Sequence, residues 1–175
     1  SKKILKYIKK KVKLSKMLAS LKSSVKAGIN VKINIIIGFP EETHRDVWLT
    51  IWYLIRFSFA GGHDTAIGVF APYPGSELYD ELLKKKIIKN DEVYWDTLSY
   101  VDISETVSYC ENISARWLLF YNWLGMFIFY SSNYLFRPMR FFRTVKNIIT
   151  NKHESRGEMA IMQMLKRIAF IYKAS

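Results

Sequence analysis

The sequence predicts an α/β fold with about two parallel strands and flanking helices, followed by a helical C-terminal extension. Two stretches support this. Residues 33–37, rich in isoleucine, run into a Gly-Phe-Pro turn and then into Glu-Glu-Thr. Residues 65–71 run into Pro-Tyr-Pro-Gly and then into Ser-Glu-Leu. Each pattern is typical of a strand followed by a helix. Because parallel sheets bind ligands at the carboxyl ends of their strands, the two turns predict a binding edge.

Two helices are expected before the first strand. Residues 2–13 form one apolar stripe on a lysine-rich helix, and Ser15 is expected to cap a second helix that ends near Gly28. The strand at residues 31–37 is apolar at most positions, which is typical of a strand buried on both faces. One face would carry Ile33, Ile35 and Ile37, and the other Asn34 and Ile36.

Two further helices are predicted by their caps. Thr43, with Asp46 three residues later, predicts a helix that a following Ala-Gly-Gly sequence breaks. Ser76 is expected to cap the helix after the second strand. Residues 87–112 lack a clear periodicity and are expected to form an irregular connector. Its expected anchors are Tyr94 and Trp95.

Residues 113–175 form a helical, aromatic and basic extension. Within it, residues 117–136 are almost entirely apolar or aromatic and, at about 1.5 Å per residue, are long enough to cross a bilayer. Asn122, a polar group at residues 131–133 and the many aromatic side chains favour a helix lying in the headgroup layer. A helix buried against the α/β half or against a missing domain, and a transmembrane helix, remain open. Pro138 marks a break or a helix start before a short basic amphipathic segment.

The net charge of +12 is concentrated at the two ends of the chain. Residues 1–26 hold ten lysines and no acidic residue, and residues 137–175 hold nine basic and two acidic residues. Between them, eight basic residues face thirteen acidic ones. A nucleic-acid-binding protein is expected to present a uniformly basic face, so this distribution disfavours nucleic acid. It suits a membrane surface, an acidic partner or simple solubility.

The single cysteine, Cys110, excludes a disulfide framework within the chain and a metal site built from several cysteines. It is expected to be a free thiol without a special task, as in a reducing compartment. The opening residues lack the layout of a signal peptide. Together these features predict a cytoplasmic protein, and the basic ends add the expectation of peripheral contact with a membrane.

The two turns together resemble the C-terminal half of radical S-adenosylmethionine enzymes. Gly-Phe-Pro-Glu-Glu-Thr and Phe-Ala-Pro-Tyr-Pro-Gly-Ser-Glu-Leu-Tyr, each ending a strand, are similar to the branch with an N-terminal cobalamin-binding domain. Enzymes of that family have a partial (β/α)6 barrel. The resemblance implies that residues 1–86 are the C-terminal part of such a barrel, with residues 87–112 as a connector and residues 113–175 as an extension.

The resemblance also implies where S-adenosylmethionine would bind. The family pattern Gly-x-Ile-x-Gly-x-x-Glu falls on Asn34, Ile36, Gly38 and Glu41, with asparagine in place of the first glycine. Ile36 would contact the adenine, and Glu41 would order the loop rather than act as an acid or base. No catalytic or metal-binding residue is expected. The implied cofactor-binding residues are Ile36, Gly38, Phe39, Pro40, Glu41, Phe70, Ala71 and Pro72.

The chain lacks the Cys-x3-Cys-x2-Cys loop that holds the [4Fe-4S] cluster in that family, and it lacks a cobalamin domain. The resemblance therefore implies a fragment that is inactive alone and whose partner is the missing N-terminal part of the same enzyme. It would supply the adenine-side wall for 5′-deoxyadenosyl-radical chemistry on an unknown small-molecule or lipid-like substrate, with cobalamin-dependent methyl transfer as a further step. The alternative is a membrane-surface or interaction protein acting through residues 113–150, with the α/β half as scaffold.

Overall fold

A computed structural model of the chain describes residues 1–89, 91–98, 107–152, 158–159 and 161–167. Two helices precede the first strand, one helix separates the two strands, and the described elements after the second strand are helices, including residues 158–159 and 161–167. The elements are α1 (Lys2–Tyr7), α2 (Leu14–Lys26), β1 (Lys32–Ile37), α3 (His44–Ala60), β2 (Asp64–Val69), α4 (Glu77–Lys84), α5 (Glu92–Thr97), α6 (Ala115–Phe136) and α7 (Pro138–Ile149).

Strands β1 and β2 pair in one two-stranded parallel sheet. At the start of the pair, the His63 N–H donates to the Val31 carbonyl, and at its end the Phe70 N–H donates to the Ile37 carbonyl. Both strands therefore run in the same direction with a nearly constant offset, and α3 connects them. The predicted mixed α/β class with two parallel strands is confirmed.

The two faces of β1 differ in burial, and the prediction that both are buried is wrong. Ile33 and Ile37 are buried, whereas Asn34 is exposed and Ile36 is 51% exposed. The alternation is typical of a strand covered on one face. An isoleucine-rich run concealed it, because isoleucine fits a strand whether or not its side chain is covered.

The chain divides into two compact units. Unit 1 comprises Ser1–Lys11, Ile35–Thr50 and Ile67–Gly125, and unit 2 comprises Val12–Asn34, Ile51–Ala66 and Met126–Ser175. Each has an apolar core. The core of unit 1 is formed by Ile4, Phe39, Phe70, Tyr79, Leu82, Ile88, Tyr94 and Tyr109. The buried side chains of unit 2 include Leu18, Leu21, Ile33, Leu54, Phe57 and Phe129.

Two of the three predicted helix caps are confirmed. The Thr43 hydroxyl lies 2.7 Å from the Asp46 carboxylate, which also accepts the Thr43 N–H, as expected of a capping box. The Ser76 hydroxyl accepts the Tyr79 N–H at the start of α4. Ser15 does not cap α2, because this helix begins at Leu14.

The connector is less irregular than predicted, since α5 lies within it. Tyr94 is buried and its hydroxyl donates to the Pro72 carbonyl, which confirms this residue as an anchor. Burial raises the pKa of Tyr94 to about 12, so the hydroxyl keeps its proton for this bond. Trp95 is 50% exposed, so its prediction as a second anchor is wrong.

Helix α6 is buried along one face. In unit 1, Leu118 is fully buried and the Asn122 amide donates to the Ile67 carbonyl of β2. In unit 2, Phe129 is fully buried and the Asn133 amide donates to the Gly62 carbonyl. These polar positions therefore bind backbone carbonyls. In the part of the chain that the structure describes, no helix combines the length and the apolar character needed to cross a membrane.

Candidate functional site

The turn after β1 is held by hydrogen bonds from its backbone to a buried side chain. Gly38 has a φ of +88°, a conformation that glycine adopts without strain. The Glu42 carboxylate accepts the N–H groups of Gly38 and Phe39 through the same oxygen. Glu42 is 2% exposed. A buried carboxylate thus satisfies two backbone donors that the turn removes from water.

Glu42, rather than Glu41, orders this loop, which corrects the expectation for Glu41. The Glu41 side chain is exposed, and only its backbone carbonyl is engaged, by the Lys3 ammonium at 2.8 Å. Burial raises the pKa of Glu42 above its ordinary value, although the hydrogen bonds from Gly38 and Phe39 oppose the shift. Nothing in the spacing of two adjacent glutamates distinguishes them, so the sequence could not assign the role.

The backbone of Glu42 is held from the connector. Its carbonyl accepts from the Cys110 thiol and the Asn112 amide, each at 3.1 Å. The Glu111 N–H donates to the Pro40 carbonyl. Burial raises the pKa of the Cys110 thiol, so the thiol keeps its proton and donates it to this carbonyl. Cys110 therefore has a structural contact that the sequence did not predict.

The open side of Gly38 faces helix α6. A Cβ atom at Gly38 would lie 2.8 Å from Leu118 Cδ1 and 3.4 Å from Val69 Cγ1. Both distances are at or below ordinary van der Waals contact. The sequence predicts that a nucleoside approaches Gly38 closely. In the structure, the Leu118 side chain makes this close approach.

The other predicted cofactor-binding residues fall into two groups. Ile36, half-exposed beside the turn, is available to a ligand. Phe39 and Phe70 pack together with ring centroids 4.9 Å apart and belong to the unit 1 core. Pro40 is buried, Ala71 is half-buried and Pro72 is fully buried. The structure therefore brings the ends of β1 and β2 together, as predicted, but directs most of their side chains inwards.

A second polar cluster lies in unit 2, around a small cavity. The cluster includes His63, whose Nδ1 accepts the Val31 N–H at 3.2 Å. Burial, and then the positive charges of Arg140, Arg137 and Arg143, lower the pKa of His63 to about 4. The ring is therefore neutral near pH 7. The cavity is lined by Asn30, His63, Tyr130, Asn133, Tyr134, Arg140, Arg143, Thr144 and Glu158.

Arginine side chains in this cluster bind carbonyls in the last turn of helix α3 and directly after it. Arg140 donates to the carbonyls of Gly61 and Gly62 and to the Asn133 side chain. Arg137 donates to the carbonyls of residues 58 and 59. Burial, reinforced by the neighbouring arginines, lowers the pKa of Arg140 to about 10, so it remains charged at neutral pH. These guanidinium groups cap a helix end.

The residues present do not fit an iron–sulfur cluster. The sequence has one cysteine, and its protonated thiol is engaged with a carbonyl. Within the described ranges, no three His, Cys, Asp or Glu side chains are grouped so that they could bind a metal ion. A comparison with protein-family models, with curated proteins and with solved structures gives no match.

Proposed function

We propose that the carboxyl ends of β1 and β2 form the adenine-side wall of an S-adenosylmethionine site in a radical enzyme with a partial (β/α)6 barrel. The turn after β1 carries the proposal. The family pattern falls on Ile36 and Gly38, and Gly38 has the positive φ that such a turn requires of glycine. Helix α3 then returns the chain to a parallel strand, which is the repeating unit of such barrels.

Within this proposal, the residues of the turn have different tasks. Ile36 supplies the apolar surface for the adenine, because it is the half-exposed side chain beside the turn. Phe39 and Phe70 support the turn from the core. Leu118 occupies the space in front of Gly38, so a nucleoside would approach along the face of β1 that carries Ile36. When bound, S-adenosylmethionine supplies the 5′-deoxyadenosyl group.

The remaining parts of the enzyme would come from polypeptide outside this sequence. The [4Fe-4S] cluster needs several thiolates, and the sequence has one cysteine. Cobalamin, if the enzyme uses it, would be held by the same missing part. The proposed partner is therefore the N-terminal portion of the same enzyme, and the substrate class is a small or lipid-like molecule.

The coding sequence upstream of Ser1 gives the first test. We expect an in-frame Cys-x3-Cys-x2-Cys motif within about one or two domain lengths. The longer polypeptide, purified without oxygen, should then bind S-adenosylmethionine, as measured by isothermal titration calorimetry. An upstream sequence without the motif would contradict the proposal.

Two matched variants of the longer polypeptide test the site itself. Ile36→Glu places a carboxylate against the adenine and should weaken binding at least about tenfold. Ile29→Glu is the control, since Ile29 is 56% exposed and lies outside the turn. Equal affinities of the two variants would show that Ile36 does not contact the cofactor.

The alternative function, a membrane-surface protein, is favoured by a separate observation. Helix α7 buries polar residues and exposes large apolar ones.

A further inference from the structure

Helix α7 is oriented opposite to an ordinary surface helix. Its buried residues are Thr144 and Asn147, both polar. The Thr144 hydroxyl donates to the Glu158 carboxylate at 2.8 Å, and the Asn147 amide donates to both oxygens of that carboxylate at 3.3 Å. An ordinary amphipathic helix buries its apolar stripe and leaves polar residues in water. In α7, by contrast, the polar residues are buried and hydrogen-bonded to Glu158, which also belongs to unit 2.

The opposite side of the helix is apolar and exposed. Met139 is 76% exposed, Phe142 is 64% exposed and Ile149 is 78% exposed. With Val145 they recur every three or four residues and therefore share one side of the helix. We call these four residues the α7 apolar face. Large exposed apolar patches on soluble proteins mark interaction sites, because leaving them in water is unfavourable.

The charged residues of α7 itself are all positive. Arg143 and Lys146 are exposed on α7. From residue 112 to residue 153 the sequence holds six lysines and arginines and no acidic residue. A protein partner with an apolar surface would not require this bias, whereas an anionic bilayer attracts each cation near its surface.

We infer that the α7 apolar face lies in the surface of an anionic membrane, with the helix axis parallel to the bilayer plane. Twelve residues at about 1.5 Å per residue reach about 18 Å, which is too short to cross a hydrocarbon core of about 30 Å. A short helix with one apolar side and basic flanks is the form that interfacial helices take. The inference does not depend on the proposed adenosylmethionine site.

The test is co-sedimentation of the full chain with lipid vesicles. We expect binding to vesicles of phosphatidylserine and phosphatidylcholine, weaker binding to phosphatidylcholine alone, and release from the mixed vesicles at high salt. The double variant Met139→Gln/Ile149→Gln should bind the mixed vesicles at least about tenfold more weakly, because two apolar side chains no longer enter the bilayer. Both residues are exposed, so folding should be preserved, which circular dichroism can verify.

A matched control uses the same two substitutions elsewhere in unit 2. Met17→Gln/Ile29→Gln changes exposed side chains of the same types, and it should bind the mixed vesicles like the wild type. Equal loss in both double variants would overturn the inference. Failure of the wild-type chain to bind any vesicles would also overturn it. In that case the oligomeric state would show whether the face binds a second copy, since Met139→Gln/Ile149→Gln would then dissociate a dimer.

Discussion

Two turns of this protein are each fixed by charged side chains, but by opposite charges. In unit 1, the Glu42 carboxylate accepts backbone N–H groups at the turn after β1. In unit 2, Arg137 and Arg140 donate to backbone carbonyls at and after the C-terminal end of α3. The first turn leads into a helix and exposes donors, whereas the second leaves a helix and exposes acceptors. The turn before a helix therefore binds a negative side chain, and the turn after a helix binds positive side chains.

Burial shifts the pKa of Glu42 and that of Arg140, with different consequences at neutral pH. The Glu42 carboxylate is buried, and burial raises its pKa because ionisation of a buried carboxyl group costs desolvation free energy. The Arg140 guanidinium keeps its charge at neutral pH although burial lowers its pKa to about 10. The turn of unit 1 should therefore be the more sensitive of the two to mutation and to pH.

The largest effect is expected from Glu42→Ala. This variant leaves the N–H groups of Gly38 and Phe39 without their buried acceptor and should lower the free energy of unfolding by about 3 kcal/mol. Urea unfolding followed by circular dichroism measures the change. Glu41→Ala is the control, since that side chain is exposed, and it should change stability by less than about 0.5 kcal/mol. Equal effects would show that Glu42 does not hold the turn.

A smaller loss, about 2 kcal/mol, is expected from Arg140→Met. Methionine keeps much of the packing of the arginine stem but cannot donate to Gly61, Gly62 and Asn133. The carbonyls are only partly shielded, so water replaces some of the lost bonds. The exposed Arg45→Met is the control for removing one charge. If both variants unfold at the same denaturant concentration, the capping role of Arg140 is wrong.

Gly38→Ala should cost about 1.5 kcal/mol, because alanine is strained at a φ of +88° and its Cβ would press on Leu118. A double-mutant cycle with Leu118→Ala separates these terms. Removal of the leucine relieves the steric part and leaves the backbone strain, so the cycle should give a favourable coupling of at least about 0.5 kcal/mol. Additive effects would mean that Leu118 does not limit the space at Gly38.

The smallest expected effect is a pH dependence that Glu42→Gln removes. Because the folded chain binds the Glu42 proton more tightly than the unfolded chain, its contribution to stability falls as pH rises from about the ordinary value of 4.5 through the raised pKa. As pH rises across this window, the unfolding free energy of the wild type should therefore fall relative to that of Glu42→Gln. A difference that does not change with pH would contradict the burial of this carboxylate.

The sequence predicted those parts of the fold that depend on neighbouring residues. The strand before Gly38, the Thr43–Asp46 capping box and the Ser76 cap are patterns within a few residues, and their bounds agree with the structure within one or two positions. The parallel pairing followed from the two successive strand–helix patterns, since a β-α-β connection joins parallel strands.

What the sequence could not predict depends on contacts between distant residues. Leu118 contacts Gly38 although it lies eighty positions later in the chain, and no local pattern predicts such a contact. The periodicity of α7 shows two sides but not which side faces the protein, because that choice depends on Glu158. The predicted cofactor residues share a turn, yet burial of Phe39 and Phe70 is a property of the assembled core.

The bond from Asn122 to the Ile67 carbonyl bears on how the sheet could be extended. Backbone groups of Asp64 and Phe70 point towards β1, so those of Ile67, an odd number of positions away, point to the opposite side. That side is where a third strand would join β2, and an asparagine already occupies its acceptor. An asparagine side chain therefore competes with any strand that would add to β2 at this position, and it protects this part of the edge from pairing with another copy of the chain.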